Sequence, residues 1–164
     1  MISEVTIHCS GTEKMTGFSW LEFLNSQTMK SCQSDPKRKC SHTGLFIDFH
    51  YLILPNGNVI NGRDDRSIGM HTPNKSQGNL GICLIGGLNN KGEWVDNFTP
   101  VQKESLCYLL DSLVSKYRIP ITEIRGAKEH PPVEGQPPTE SPCFDVQDLV
   151  QSLQGVPYGF VTET

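Results

Sequence analysis

Apolar and polar positions along this chain mark out short strands, a hairpin and two clear helices. Val5-Thr6-Ile7-His8 is a β-prone run ending in polar residues, which predicts a strand with His8 at its exit. Phe18, Trp20, Leu21 and Leu24 suit a short helix between Thr16 and Leu24. The polar stretch 25–43, with Asp35-Pro36-Lys37-Arg38-Lys39 inside it, reads as an exposed loop. Phe49 to Leu54, then Pro55-Asn56-Gly57-Asn58 and Val59-Ile60, predict a hairpin, because Asn-Gly supplies the positive backbone angles of a tight turn. A second polar loop, 62–78, contains His71. Leu80 to Ile85 is a continuous apolar run closed by Gly86-Gly87, as expected of a buried central strand.

Thr99-Pro100-Val101-Gln102 has the form of a helix start, with Thr as cap, Pro at the first position and Gln at the third. Leu106, Leu109, Leu110, Leu113, Val114 and Tyr117 then recur at helical spacing. Ile121 to Arg125 suggests another short strand, and the Pro-rich stretch 126–142 a loop. Asp145 is placed to cap a last helix through Val146, Leu149, Val150 and Leu153, ended by Gly155. Strands interleaved with helices predict an α/β fold with a mixed central sheet flanked by helices.

Composition narrows the function classes. At 164 residues, with 36% hydrophobic and 20% charged positions, the chain suits one ordinary globular domain. The net charge of -4 lacks the basic excess of a phosphate-reading domain, so no nucleic-acid partner is expected. No window approaches the roughly 18 apolar residues of a membrane span, and no membrane partner is expected. The first residues lack a signal peptide's charged head and apolar run. The expectation is therefore a protein cytoplasmic as synthesised, acting elsewhere only if released or exported.

Among the six cysteines, Cys9, Cys83 and Cys107 lie in apolar runs, where a thiol behaves as a small hydrophobe. Cys32 and Cys40 flank a polar loop and stand either as a local disulfide or as two free thiols. A zinc knuckle of Cys32, Cys40 and His42 is a further alternative, at a non-standard spacing. His50, next to Phe49 in a strand, is expected to point to the other face and to be structural.

Several segments together resemble the zinc-dependent N-acetylmuramoyl-L-alanine amidases, the family of small phage lysozymes and animal peptidoglycan-recognition proteins. They are Ile7-His8-Cys9-Ser10, Phe49-His50-Tyr51-Leu52-Ile53 with Asn56-Gly57 and Asn61-Gly62-Arg63, Gly69-Met70-His71, Leu80-Gly81-Ile82, Gly86-Gly87, Phe98 to Gln102 and Ser141-Pro142-Cys143-Phe144-Asp145. The resemblance runs from about Val5 to Leu153. It implies an amidase-like domain over residues 1–154, a C-terminal tail over 155–164, and a groove for peptidoglycan fragments.

In that family two His and one Cys hold a zinc ion, which lowers the pKa of its water and polarises the scissile carbonyl. Carried over, His8 stands at the first ligand position, Ala127 at the second and Ser141 at the third. Phe49 stands where the family has a catalytic Tyr, and Thr139 matches a version of the family's pattern. Ala has no lone pair, and a Ser hydroxyl is a far poorer zinc ligand than a thiolate. Phe49 lacks the hydroxyl that would donate to an oxyanion, an interaction worth about 2.7–4 kcal/mol. The resulting expectation is a muropeptide-binding pseudoenzyme of the cell wall that needs no cofactor. Its substrate-binding residues would be His8, Phe49, His71, Asn74 and Thr139, with Arg63 a weaker candidate.

Two alternatives stay open. One is an active zinc amidase, either with relocated ligands (His130 and Cys143 joining His8) or as the disarmed variant of an active parent. The other is a repurposed scaffold that grips a protein partner or a small anionic ligand, as an inhibitor or sponge. Lys37, Arg38 and Lys39 are its suggestive feature, against the alternative of a solvated charge run.

Overall fold

A computed structural model describes residues 1–13 and 48–153 of the chain. Five strands form one mixed sheet: β1 (Glu4–Cys9), β2 (Tyr51–Ile53), β3 (Val59–Asn61), β4 (Asn79–Leu84) and β5 (Ile124–Gly126), in the spatial order β3-β2-β4-β1-β5. Helices α1 (Pro100–Tyr117) and α2 (Val146–Leu153) complete the described elements, with 3-10 turns at Ile121–Glu123 and Ala127–Glu129. The run Leu80 to Ile85 becomes the central strand as expected, and all six residues of β4 are buried.

Alternation along the strands divides the interior into two layers. Val5, Ile7 and Cys9 of β1 and Leu80, Ile82 and Leu84 of β4 pack with Leu106, Leu110 and Leu113 of α1 and Val146 and Val150 of α2. On the other face Leu52, Leu54, Cys83 and Ile85 form a smaller cluster, edged by Phe49 and Ile60. Thr6 and His8, out of step with the helix-facing residues of β1, belong to this second face. Parallel pairing to β4 on one side and β5 on the other sets His8 opposite Cys83 and Ile7 opposite Gly126. The β4 ladder therefore holds the backbone of His8 directly, and the β5 ladder ends one residue before it.

Helix α1 starts as its sequence predicts. Thr99 and Gln102 form a reciprocal capping box, and the Thr99 hydroxyl also donates to the Pro55 carbonyl at 2.6 Å. In the hairpin, Gly57 takes φ +86°, and a Cβ there would meet Val101 Cγ1 at 2.3 Å. Asp145 Oδ1 accepts the Asp148 N–H at 2.9 Å, the expected cap of α2.

Some expectations shift. The strand predicted over 121–125 begins as a 3-10 turn and pairs with β1 only over Ile124–Gly126, because the Glu123 N–H folds back onto the Pro120 carbonyl at 2.8 Å. The stretch 126–142 opens with a 3-10 turn before becoming loop. Cys9 and Cys83 are buried, whereas Cys107 is only half-buried. The short helix of 16–24, the Cys32–Cys40 loop with His42, the Lys37–Lys39 run and the tail 155–164 lie outside the described residues.

Candidate functional site at the exit of the first strand

His8, the fifth residue of β1, lies at the centre of a histidine and aromatic cluster. Its Nε2 is 3.1 Å from His71 Nδ1 and 3.4 Å from Thr72 Oγ1. His71 Nε2 lies 3.0 Å from the Asn79 carbonyl, an acceptor, so that nitrogen carries the proton and Nδ1 accepts. The Thr72 hydroxyl stands between the two rings, 2.9 Å from His71 Nδ1. The Phe49 ring stands 5.2 Å from His8 and 6.1 Å from His71, closing a three-ring group.

Two glycines make this packing fit. A Cβ on Gly81 would stand 2.4 Å from His71 Cδ2, and one on Gly69 would stand 2.5 Å from the same atom. His50, 1% exposed, is structural as expected. Its Nδ1 accepts the Gly81 N–H at 3.0 Å and its Nε2 donates to the Ser67 carbonyl at 2.7 Å. It achieves this by bonding in place, with its ring 5.8 Å from His71, rather than by turning away from the cluster.

The second and third ligand positions of the family resemblance converge on the same strand end. Ala127 follows Gly126, the residue paired with Ile7. Ser141 Oγ accepts the Cys9 N–H at 2.8 Å, and the Ser141 carbonyl accepts the Lys128 N–H at 2.8 Å. The family implies a zinc ion here, and the residues do not fit one. Ala127 offers no donor atom, the Ser141 hydroxyl is committed to a backbone amide, and only His8 presents a ligating nitrogen. Among the described residues no group of three or more His, Cys, Asp or Glu side chains is placed to hold a metal ion.

The relocated set is not assembled either. His130 Nε2 lies back along the strand, 2.9 Å from Thr6 Oγ1 and 3.6 Å from Glu4 Oε1. Cys143 Sγ lies 4.0 Å from Cys9 Sγ, beside a residue that packs with the helix-facing core. Strand alternation separates that sulfur from His8.

The remaining candidates divide by exposure. His71 and Phe49 are half-buried, His8 keeps 8% of its surface, and Asn74 and Thr139 are exposed. Asn74 holds a left-handed φ of 61° in its loop, and Thr139 Oγ1 accepts the Ser141 N–H at 3.1 Å. Arg63 is 4% exposed and donates to the Ile68 carbonyl at 3.0 Å, so it supports the loop under the cluster rather than a groove surface. Thr6, Thr72 and Asn79 are site residues that pattern reading misses. Thr6 Oγ1 donates to Asn79 Oδ1 at 3.0 Å, joining the His130 contact to the Asn79–His71 contact. The signal for Thr6 and Asn79 is polarity at buried strand positions, whereas Thr72 is buried in the 62–78 loop.

Burial sets the charge state of the cluster. It holds the His8 imidazolium well below its ordinary range, with His71 and then His130 adding to the effect. Burial brings His71 down to about 4, against the Asn79 carbonyl, which favours the charged ring. His50 and His130 are lowered as well, burial again the main cause. Near neutral pH these imidazoles are uncharged. A separate cleft of about 620 Å³, lined among others by Asp65, Arg66, Lys116 and Arg118, touches none of the cluster's rings.

The model of the N-acetylmuramoyl-L-alanine amidase family matches residues 2–143. The endolysin of Escherichia phage T7 is 40% identical over 73 residues, covering 44% of this chain and 48% of the endolysin. The endolysin of Klebsiella phage KP32 is 30% identical over 116 residues, covering 70% of this chain and 68% of the relative. The chain thus spans about half the length of the T7 relative and two thirds of the KP32 one. Among solved structures, the amidase LysC from Clostridium intestinale superposes with a TM-score of 0.67 at 21% identity, covering 93% of this chain and 85% of that one. PGRP-SA of Apis mellifera gives 0.65 at 20%, covering 95% and 83%. At such identities the structural likeness is one of fold, and it agrees with the mixed sheet and helices described above. Fold, motif order and family match coincide over the same residues: the chain belongs to the N-acetylmuramoyl-L-alanine amidase family.

Proposed function

We propose that this chain binds muropeptide fragments of peptidoglycan at the exit of β1 and does not hydrolyse them. Hydrolysis of the lactyl amide needs an activated water and a polarised carbonyl. The observation that carries the reading is the pairing of Ser141 Oγ with the Cys9 N–H beside Ala127, at two of the family's three ligand positions. His8, kept neutral by burial, is a weak base. Phe49 has no hydroxyl for a developing oxyanion, and no cofactor is required. What these residues supply is a surface: half-buried Phe49 and His71 for stacking on a sugar or peptide, and exposed Thr139 and Asn74 for hydrogen bonds.

Calorimetric titration of muropeptides into the protein in the presence of chelator is expected to give saturable heat. Absence of heat at millimolar ligand overturns binding. With zinc supplied, the chain is expected to bind no stoichiometric metal and to free no L-alanine amino termini from cell walls, whereas the double substitution Ala127→His with Ser141→Cys gains one zinc per chain by elemental analysis. Release of those termini by the unsubstituted protein overturns the non-hydrolytic reading.

A further inference from the structure

We propose that Cys9 and Cys143 form a redox modification site, closing on oxidation into a disulfide that ties the loop ending at Pro142 to the exit of β1. The two sulfurs lie 134 positions apart in sequence and 4.0 Å apart in space. A disulfide requires about 2.05 Å, so they must approach by about 2 Å. The backbone on both sides is already held close. The Cys9 N–H donates to Ser141 Oγ at 2.8 Å, and the Cys143 N–H donates to the Glu140 carbonyl at 2.7 Å.

Gly87 provides the space in which the sulfurs meet. A Cβ there would stand 2.7 Å from Cys9 Sγ and 3.6 Å from Cys143 Sγ. The Cys143 thiol is also 3.6 Å from the Gly87 carbonyl, its hydrogen-bond acceptor in the reduced state. Cys9 packs with the helix-facing core, on the sheet face opposite His8.

Exposure assigns the two thiols different parts. Cys143 is half-buried and within reach of a small reagent, whereas Cys9 keeps 8% of its surface. The oxidant is a low-molecular-weight disulfide of the glutathione class. Cys143 loses its proton to solvent and its sulfur attacks one sulfur of the reagent, breaking that S–S bond and releasing one reagent thiolate. Cys9, deprotonated in turn, attacks Cys143 Sγ and releases the second reagent thiolate. Both leaving thiolates are reprotonated. Two protein thiols are oxidised by two electrons, and one reagent disulfide is reduced to two thiols.

The test uses the full native chain with excess oxidised glutathione at pH 8.5, followed by alkylation, proteolysis and mass spectrometry of the linked peptides. The expected product is a Cys9–Cys143 linked peptide that disappears on dithiothreitol treatment, together with a raised melting temperature of the oxidised protein. A stable glutathione adduct on Cys143 without that link overturns the proposal. So does recovery of Cys9 and Cys143 as alkylated thiols, or a link that forms only in denaturant.

Discussion

His71 rests directly over the α-carbon of Gly81, and the contact leaves no room for a methyl group. Replacing Gly81 by Ala places a carbon 2.4 Å from the imidazole and 2.8 Å from its Nε2. The ring must move, and the Asn79 and His8 hydrogen bonds move with it. Gly81→Ala is expected to destabilise the fold by about 1–3 kcal/mol, measurable by urea denaturation, and to perturb the His8 and His71 ring resonances in NMR spectra. An unchanged midpoint with unchanged resonances would show that the ring does not lie there. The site's legibility follows the same distinction. His8 is placed by motif and strand alternation together, whereas Phe49, ahead of β2, is placed by motif alone. Thr72 and Asn79 are placed by neither, because their roles depend on how the 62–78 loop returns to the sheet. Arg63, a weaker groove candidate by sequence, proves to be buried, its guanidinium 3.7 Å from the Asp48 carboxylate and bonded to the Ile68 carbonyl.

Between elements, Gln102 is the joint that local pattern underestimates. Sequence identifies it as the third residue of a capping box, and it is that. It is also fully buried, with Nε2 donating to the Ile53 carbonyl at 3.1 Å and to the Ile85 carbonyl at 3.0 Å. The first turn of α1 is thereby bonded to the ends of β2 and β4. Gln102→Ala removes the box and withdraws a donor from two buried carbonyls, of which Ile53 keeps the Ile85 N–H at 3.0 Å, with an expected loss of about 2–4 kcal/mol by chemical denaturation. Thr99→Ala, which removes the cap and the hydroxyl's bond to the Pro55 carbonyl but leaves the Gln102 clamp, is expected to lose about 1–2 kcal/mol. Equal losses would argue against the clamp. The helix and the central strand are legible because a long 3.6-residue period and an unbroken apolar run are strong signals. The limits of β5 are not, because β1 decides how many residues of that segment find a ladder.

Across the whole molecule, four histidines are held below their ordinary pKa, chiefly by burial. A group lowered on folding stabilises the native state fully above its unfolded value near 6.5. That contribution drains as pH falls from there toward the folded value, about 4 for His71. Each such histidine adds a slope of up to about 1.4 kcal/mol per pH unit inside that window. The melting temperature is therefore expected to fall from pH 6.5 to pH 5, ahead of general carboxylate titration, and His71→Gln is expected to make the fall shallower. A flat profile for the unsubstituted chain over that interval would contradict buried neutral rings.

The link between Cys9 and Ser141 has a consequence for where such a molecule can persist. A loop fastened to its sheet by an amide and a hydroxyl asks nothing of the surrounding mineral supply. Surroundings swept clean of transition ions by siderophores or sequestering proteins would leave that joint intact.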